Sequence, residues 1–203
     1  MSIHSADMAR AHAVVREIPA DRRQAILDAA LDLFSEHTYG GTAMPLIAER
    51  AGVAAGTIYR YFPSKEDLAN AVYRDCKLAM QAALSEHARS GAIRDQFRGL
   101  WRGLWAFSQA NPAAFRFLET HHHTPYLDRA SRAVGDVVSH TVADFVRRGQ
   151  RGRAIRPGDP LVLIALAFGA FVGLVKDAAD RHVVIDDKTL RASEDAVWAM
   201  LEG

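Results

Sequence analysis

The 203-residue sequence holds a single cysteine, Cys76, which excludes an internal disulfide and a zinc site built from several cysteines, and fits a reducing cytoplasm. No basic stretch precedes an apolar run near the N-terminus, so no secretory signal is expected. The strongest apolar run, Leu161 to Val175, is uncharged but falls short of the roughly 20 residues that span a bilayer. It reads as a buried helix, and no membrane partner is expected. A formal net charge of +1 gives no global signature of a polyanion partner. The chain also lacks a Gly-x-Gly-x-x-Gly after a strand, a His-Glu-x-x-His and a Gly-x-Ser-x-Gly. Neither an enzymatic activity nor a cofactor is therefore expected. Strand-like alternation, low-complexity tracts and long repeats are missing too.

What is present reads as all-α. Hydrophobic residues make up 49% and charged residues 24% of the chain, the balance of a soluble globular protein. Residues 1–20 form a weak helical pattern ended by Pro19, an arm. Asp21 can cap a first helix carrying Ile26, Ala29, Ala30, Leu33 and Phe34 at helical spacing, which Tyr39-Gly40-Gly41 ends. Thr42 can cap a second helix, where Pro45 is tolerated in the first turn. Its apolar stripe is Leu46, Ile47 and Ala51. Gly52 breaks it, because glycine reaches φ > 0 without a Cβ penalty, and Val53 can plug the corner. A third short helix, about Ala55 to Phe62, buries Ile58 and Phe62. Thr57, Tyr59 and Tyr61 fall on its other faces, where hydroxyl tips suit phosphate oxygens and base edges. Pro63 closes it, and Ser64 caps the next helix with Asp67 three residues on.

Spacing alone leaves two readings for the corner at about 45–64: a structural αα-corner, or a helix-turn-helix that reads DNA. Charge argues mildly against DNA, since seven Lys or Arg stand against eight Asp or Glu in residues 1–66. Phosphate contact, however, needs only a few placed donors, many of them hydroxyls and backbone N–H groups.

The runs Ile26-Leu27-Asp28-Ala29-Ala30-Leu31-Asp32-Leu33-Phe34, Tyr39-Gly40-Gly41-Thr42, Ile47-Ala48-Glu49-Arg50-Ala51-Gly52-Val53, Gly56-Thr57-Ile58-Tyr59-Arg60-Tyr61-Phe62 and Ser64-Lys65-Glu66-Asp67-Leu68 together resemble the TetR family of transcriptional regulators. The resemblance covers about Arg22 to Leu68. It implies a helix-turn-helix DNA-binding domain over 21–66 and a helical ligand-binding and dimerisation domain over 67–203. It also implies a cytoplasmic homodimeric repressor on a palindromic double-stranded operator, released by a small-molecule effector. By position, Thr42, Thr57, Tyr59, Tyr61 and Lys65 would hold phosphates or approach bases, with Ala55 and Gly56 nearest the major groove. Two departures weaken the pattern: Ala54 replaces a frequent serine cap, and Ala55 a frequent polar or basic residue.

In the second domain, Phe97-Arg98-Gly99-Leu100-Trp101-Arg102-Gly103-Leu104-Trp105 repeats with a period of four, stacking glycines, arginines and tryptophans on separate stripes. Trp101, Trp105, Phe117 and His121 are the expected ligand-pocket residues, because cavities between bundle helices are lined by aromatics with a few polar groups. That lining implies a hydrophobic or aromatic effector. The run His121-His122-His123 is read as a helix end rather than a metal site. Consecutive histidines on a helix point about 100° apart, and Glu119 to His122 is only one of the two Glu-x-x-His pairs a di-iron bundle needs. The basic stretch Arg147 to Arg156 reads as a surface loop. Asp159-Pro160 starts the apolar helix, whose Gly169 and Gly173 form a small-xxx-small step. Leu166, Gly169, Gly173 and, on the last helix, Trp198 are the expected dimer contacts. Two alternatives stand beside this reading: a helical-bundle metal- or ligand-binding enzyme with a structural corner, and an activator on the same fold.

Overall fold

The computed structural model describes residues 20–88, 90–120, 123–182 and 184–203. Its described residues form nine helices: α1 Ala20–Gly41, α2 Met44–Arg50, α3 Ala55–Tyr61, α4 Lys65–Glu86, α5 Ile93–Ala110, α6 Pro112–Thr120, α7 Arg129–Arg151, α8 Pro160–Asp180 and α9 Asp187–Leu201. The only extended pairing among them is one antiparallel bridge between Ile155 and Glu202. Apart from Ala20, the first residue of α1, the arm expected over 1–20 lies outside the described residues.

Helix α1 buries Ile26, Ala30, Leu33 and Phe34, the i, i+4, i+7, i+8 face of an amphipathic helix. Its break is not at the expected Tyr39-Gly40-Gly41. Thr38 carries it, at φ 65° and ψ 164°, a region nearly closed to a β-branched residue. Long-range contacts set this position. Tyr39 stacks on Tyr126 at 4.2 Å between ring centroids and donates its hydroxyl to Glu66 at 2.7 Å. The strained turn is held from below by the Thr42 hydroxyl, 2.8 Å from the Thr38 carbonyl oxygen.

Helix α4 is the spine, packing against α1, α5, α6 and α7 through Leu68, Ala69, Val72, Cys76 and Met80. Burial pushes the Cys76 thiol up to about 12, so this cysteine packs rather than reacts. At the α4–α5 crossing a Cβ on Gly103 would lie 3.0 Å from the Ala83 carbonyl oxygen and Leu84 Cα; the period-four stripe thus places glycine where two backbones meet. Helices α4 and α7 run parallel. Asn70 donates to the Tyr126 carbonyl and accepts from the Asp128 N–H, both at 2.8 Å, and further along the Tyr73 hydroxyl reaches Gly135.

Helix α7 continues to Arg151, through much of the expected loop, and Ile155 then tucks against Gly149, where a Cβ would come within 2.5 Å of its Cδ1. Helix α8 starts as expected, with the Asp159 carboxylate accepting from the Leu161 N–H at 2.8 Å. It is not buried all round. Only Leu163 and Phe171 are buried, while Leu161, Val162 and Leu166 are 61%, 54% and 53% exposed. The helix extends beyond the apolar run to 21 residues, long and apolar enough by length and composition alone to cross a membrane. Its packing between α7 and α9 assigns it instead to the helical domain.

Candidate functional site

The corner between α2 and α3 is a Schellman turn. The Val53 N–H donates to the Ala48 carbonyl at 2.9 Å and the Gly52 N–H to the Glu49 carbonyl at 3.0 Å. These are the 6→1 and 5→2 bonds of that motif, with Gly52 in the left-handed position at φ 66°. Beyond it, α3 is anchored by Ile58, fully buried and worth about 1.5–3 kcal/mol of burial, and by Phe62, whose ring the Arg23 guanidinium covers at 5.3 Å. No side chain caps α3 at Ala54, as the departure from serine there implies.

This anchoring turns Ala55, Gly56, Tyr59 and Arg60 outward, while Thr57 and Tyr61 are half-buried. Tyr59 is 49% exposed. Arg60, which the sequence reading passed over, joins them as an exposed cation in the last turn of α3; its adjacency to Tyr59 on so short a helix was the available signal. Two other expected contacts face inward. Thr42 is 2% exposed and donates its hydroxyl to the Thr38 carbonyl, so it neither caps α2 nor offers that hydroxyl to solvent. Lys65 directs its ammonium to the Tyr39 and Thr42 carbonyls at 3.0 and 3.1 Å, over the Tyr39 ring at 4.3 Å. It staples the α1–α2 corner to the start of α4. Lys65→Met should therefore lower stability by about 1–3 kcal/mol, read as a shifted denaturation midpoint with unchanged helix content.

The corner is joined to the second domain through the segment between α6 and α7. His123 lies buried there. Its Nε2–H donates to the Phe117 carbonyl at 3.0 Å, and its Nδ1 accepts from the Tyr126 hydroxyl. Tyr126 in turn carries the stacked Tyr39. Phe117, expected in a pocket, is fully buried against Phe34 of α1 at 5.9 Å and His123 at 4.6 Å. It cements the two domains instead. His121 and His122 lie outside the described residues.

An apolar cavity of about 250 Å³ opens between α4, α5, α7 and α8. Of the expected pocket residues Trp101 lines it; Trp105 and Phe117 do not. The sequence missed Lys77, Met80, Val142, Phe145 and Phe168, which line it from three different helices. Their own-helix spacing marks them only as inward-facing, and the helix assembly alone reveals the space between them.

On the far side of α8, Leu166 stands exposed, and a Cβ on Gly169 or Gly173 would meet nothing within 4 Å. These three expected dimer residues share one open apolar face with Val162. Trp198 does not join them: it is 7% exposed and packs inside the chain on Phe97 at 5.5 Å, under the Arg94 guanidinium.

A short uncapped helix held outward by a Schellman corner, ahead of a helical domain with its own cavity, is the arrangement of a bacterial DNA-binding regulator. Residues 26–72 match the family of bacterial regulatory proteins, tetR family, and residues 73–202 match the tetracyclin repressor-like C-terminal domain. The chain belongs to the TetR family and is a transcriptional regulator of that class. It is 25% identical over 182 residues to the HTH-type transcriptional regulator YhgD of Bacillus subtilis, covering 84% of this chain and 91% of that protein. The N-terminal part alone is 52% identical over 52 residues to the HTH-type transcriptional repressor KstR of Mycolicibacterium smegmatis, 26% of each chain. Among solved structures, a TetR family regulator from Marinobacter aquaeolei superposes with TM-score 0.79 at 23% identity, over 90% of this chain and 96% of that one. A putative TetR family regulator from Vibrio parahaemolyticus does so with TM-score 0.71 at 27% identity, over 90% and 99%.

Proposed function

We propose that the protein is a homodimeric repressor that holds a palindromic operator with two copies of α3 and releases it when a hydrophobic effector enters the α4–α5–α7–α8 cavity. The observation that carries this reading is the double use of α4. Its capped N-terminus closes the helix-turn-helix at Ser64, and its middle turns line the cavity through Lys77, Met80 and Leu84. A ligand pressing on those turns acts on the helix that positions α3.

DNA approach falls to the exposed face of α3. Tyr59 offers a hydroxyl, Arg60 a cation for phosphate, and Ala55 a methyl suited to a thymine methyl. Thr57 and Tyr61 flank them. Lys65 acts on the position of α2, and Thr42 on the corner beneath it. The exposed apolar face of α8 supports pairing with a second copy, since glycines at 169 and 173 let backbones approach closely. A repressor is favoured by the likeness of residues in this module to a named repressor. A metal- or ligand-binding enzyme is the rival reading.

Fluorescence anisotropy with DNA from upstream of the protein's own gene tests the proposal. Binding is expected at a palindrome with half-sites in successive major grooves, about 34–36 Å apart, at a Kd of about 10⁻⁸ M or tighter at physiological salt. An isolated half-site should bind far more weakly. Equal affinity for that DNA and for scrambled duplex would defeat the proposal.

A further inference from the structure

The wall of the cavity is apolar with one charged exception among the described residues, Lys77. This ammonium takes part in no ion pair or hydrogen bond among those residues. Its one close partner is the ring of Tyr73, 5.6 Å from Nζ to centroid. Glu119 acts on it as a charge without reaching ion-pair distance. A half-buried cation with only a ring beside it and a carboxylate beyond ion-pair reach lacks the charged hydrogen-bond partner that burial calls for. A second donor is idle in the same wall: the Nε1–H of Trp101 is buried and has no acceptor.

The charge and the hydroxyl of the wall lie at one end. Because α4 and α7 run parallel from the Asn70–Asp128 contacts onward, Lys77 comes level with Val138 and Ser139, at the end of the cavity nearer the helix-turn-helix. The Ser139 hydroxyl donates to the Gly135 carbonyl at 3.2 Å, so its hydrogen is engaged and the donor left at this end is the Lys77 ammonium. About 10 Å further along α4, Leu84 faces an uncharged end that closes on Leu201, with the Trp101 N–H as its polar group among otherwise apolar side chains. A cavity charged at one end and largely apolar at the other complements an amphiphile with a negative head.

We propose that the effector is an amphipathic carboxylic acid, its carboxylate on Lys77 and its chain running the roughly 10 Å past Leu84 toward Leu201 in a cavity of about 250 Å³. This rests on the reading of the cavity as the effector site. The carboxylate supplies the partner Lys77 lacks. Burial already holds the Lys77 ammonium below the ordinary lysine range, so an anion beside it strengthens the charged form. A neutral or cationic head on the same chain gains none of this.

The test titrates full-length protein with decanoate, decanol and decylamine by calorimetry, in the wild type, Lys77→Met, Lys77→Arg and the cavity-filling Val142→Trp. Wild type should bind decanoate at least about tenfold more tightly than decanol, the difference a charge-assisted hydrogen bond makes, with decylamine weakest. Lys77→Met should erase that preference while leaving decanol affinity unchanged, and Lys77→Arg should retain it. Unfolding curves establish that each variant is folded, and the arginine variant stands if the methionine variant is not. Equal binding of decanoate and decanol, or a preference that survives in Lys77→Met, overturns the proposal for the head group. If Val142→Trp weakens both ligands in that case, the cavity remains the effector site and only the acid is wrong. If Val142→Trp weakens neither, or no ligand binds the wild type, the reading of the cavity fails as well.

Discussion

Gly173→Arg is expected to yield a folded monomer that no longer holds the operator. A Cβ on Gly173 meets nothing within 4 Å, and the new side chain points away from the chain's own core, so the melting temperature of the subunit should barely move. Across a two-fold interface the same substitution puts one unpaired guanidinium from each copy into the face formed by Val162, Leu166 and Gly169. Removing such charges from water without partners costs several kcal/mol per ion, more than a close glycine contact returns. A monomer then keeps one half-site and forfeits the effective concentration of the second, worth about 10²–10⁴-fold in affinity. Sedimentation velocity and operator titration read both effects. A stable dimer would remove α8 from the interface.

Tyr59→Ala should cost a comparable factor by a different route. Tyr59 is 49% exposed and makes no hydrogen bond among the described residues, so its loss should change stability by no more than about 0.5 kcal/mol. In the proposed complex its hydroxyl and ring edge would meet DNA twice, once per subunit. At about 1–3 kcal/mol for a good base contact, two copies make about 30- to 10⁴-fold in Kd. Dimerisation and effector binding should stay at wild-type values, which separates a reading residue from a folding one. Retained operator affinity with Tyr59→Ala would move recognition off this face of α3.

The contrast among the site residues shows what a sequence discloses. The caps at Ser64 and Asp159 and the glycine turn at Gly52 are complete within a few residues of chain, so their spacing alone exposes them. Thr38, Lys65 and Trp198 are decided elsewhere. Thr38 breaks α1 because Tyr39 is claimed by Tyr126 and Glu66, far along the chain. Lys65 turns inward because the carbonyls left by that break need a donor. Trp198 packs inward because α5 brings Phe97 beneath it. The cavity is the extreme case. Trp101 is visible as an aromatic on a regular stripe, but Lys77 reads as one more solvated charge until α5, α7 and α8 close around it. Phe117 has the composition of a pocket residue and the position of a domain joint.

The 22-residue α4 also acts as a lever. From the Ser64 cap to Met80 at the cavity is about 24 Å of rise at 1.5 Å per residue. Rotation by about 10° around the cavity end moves the other end by about 4 Å, slightly more than the roughly 3.4 Å between successive base pairs. A displacement of about 1 Å per turn of helix, within the reach of one inserted carbon chain, would thus become a whole base pair of misregister at each half-site. The sensing cavity can be small because the arm attached to it is long.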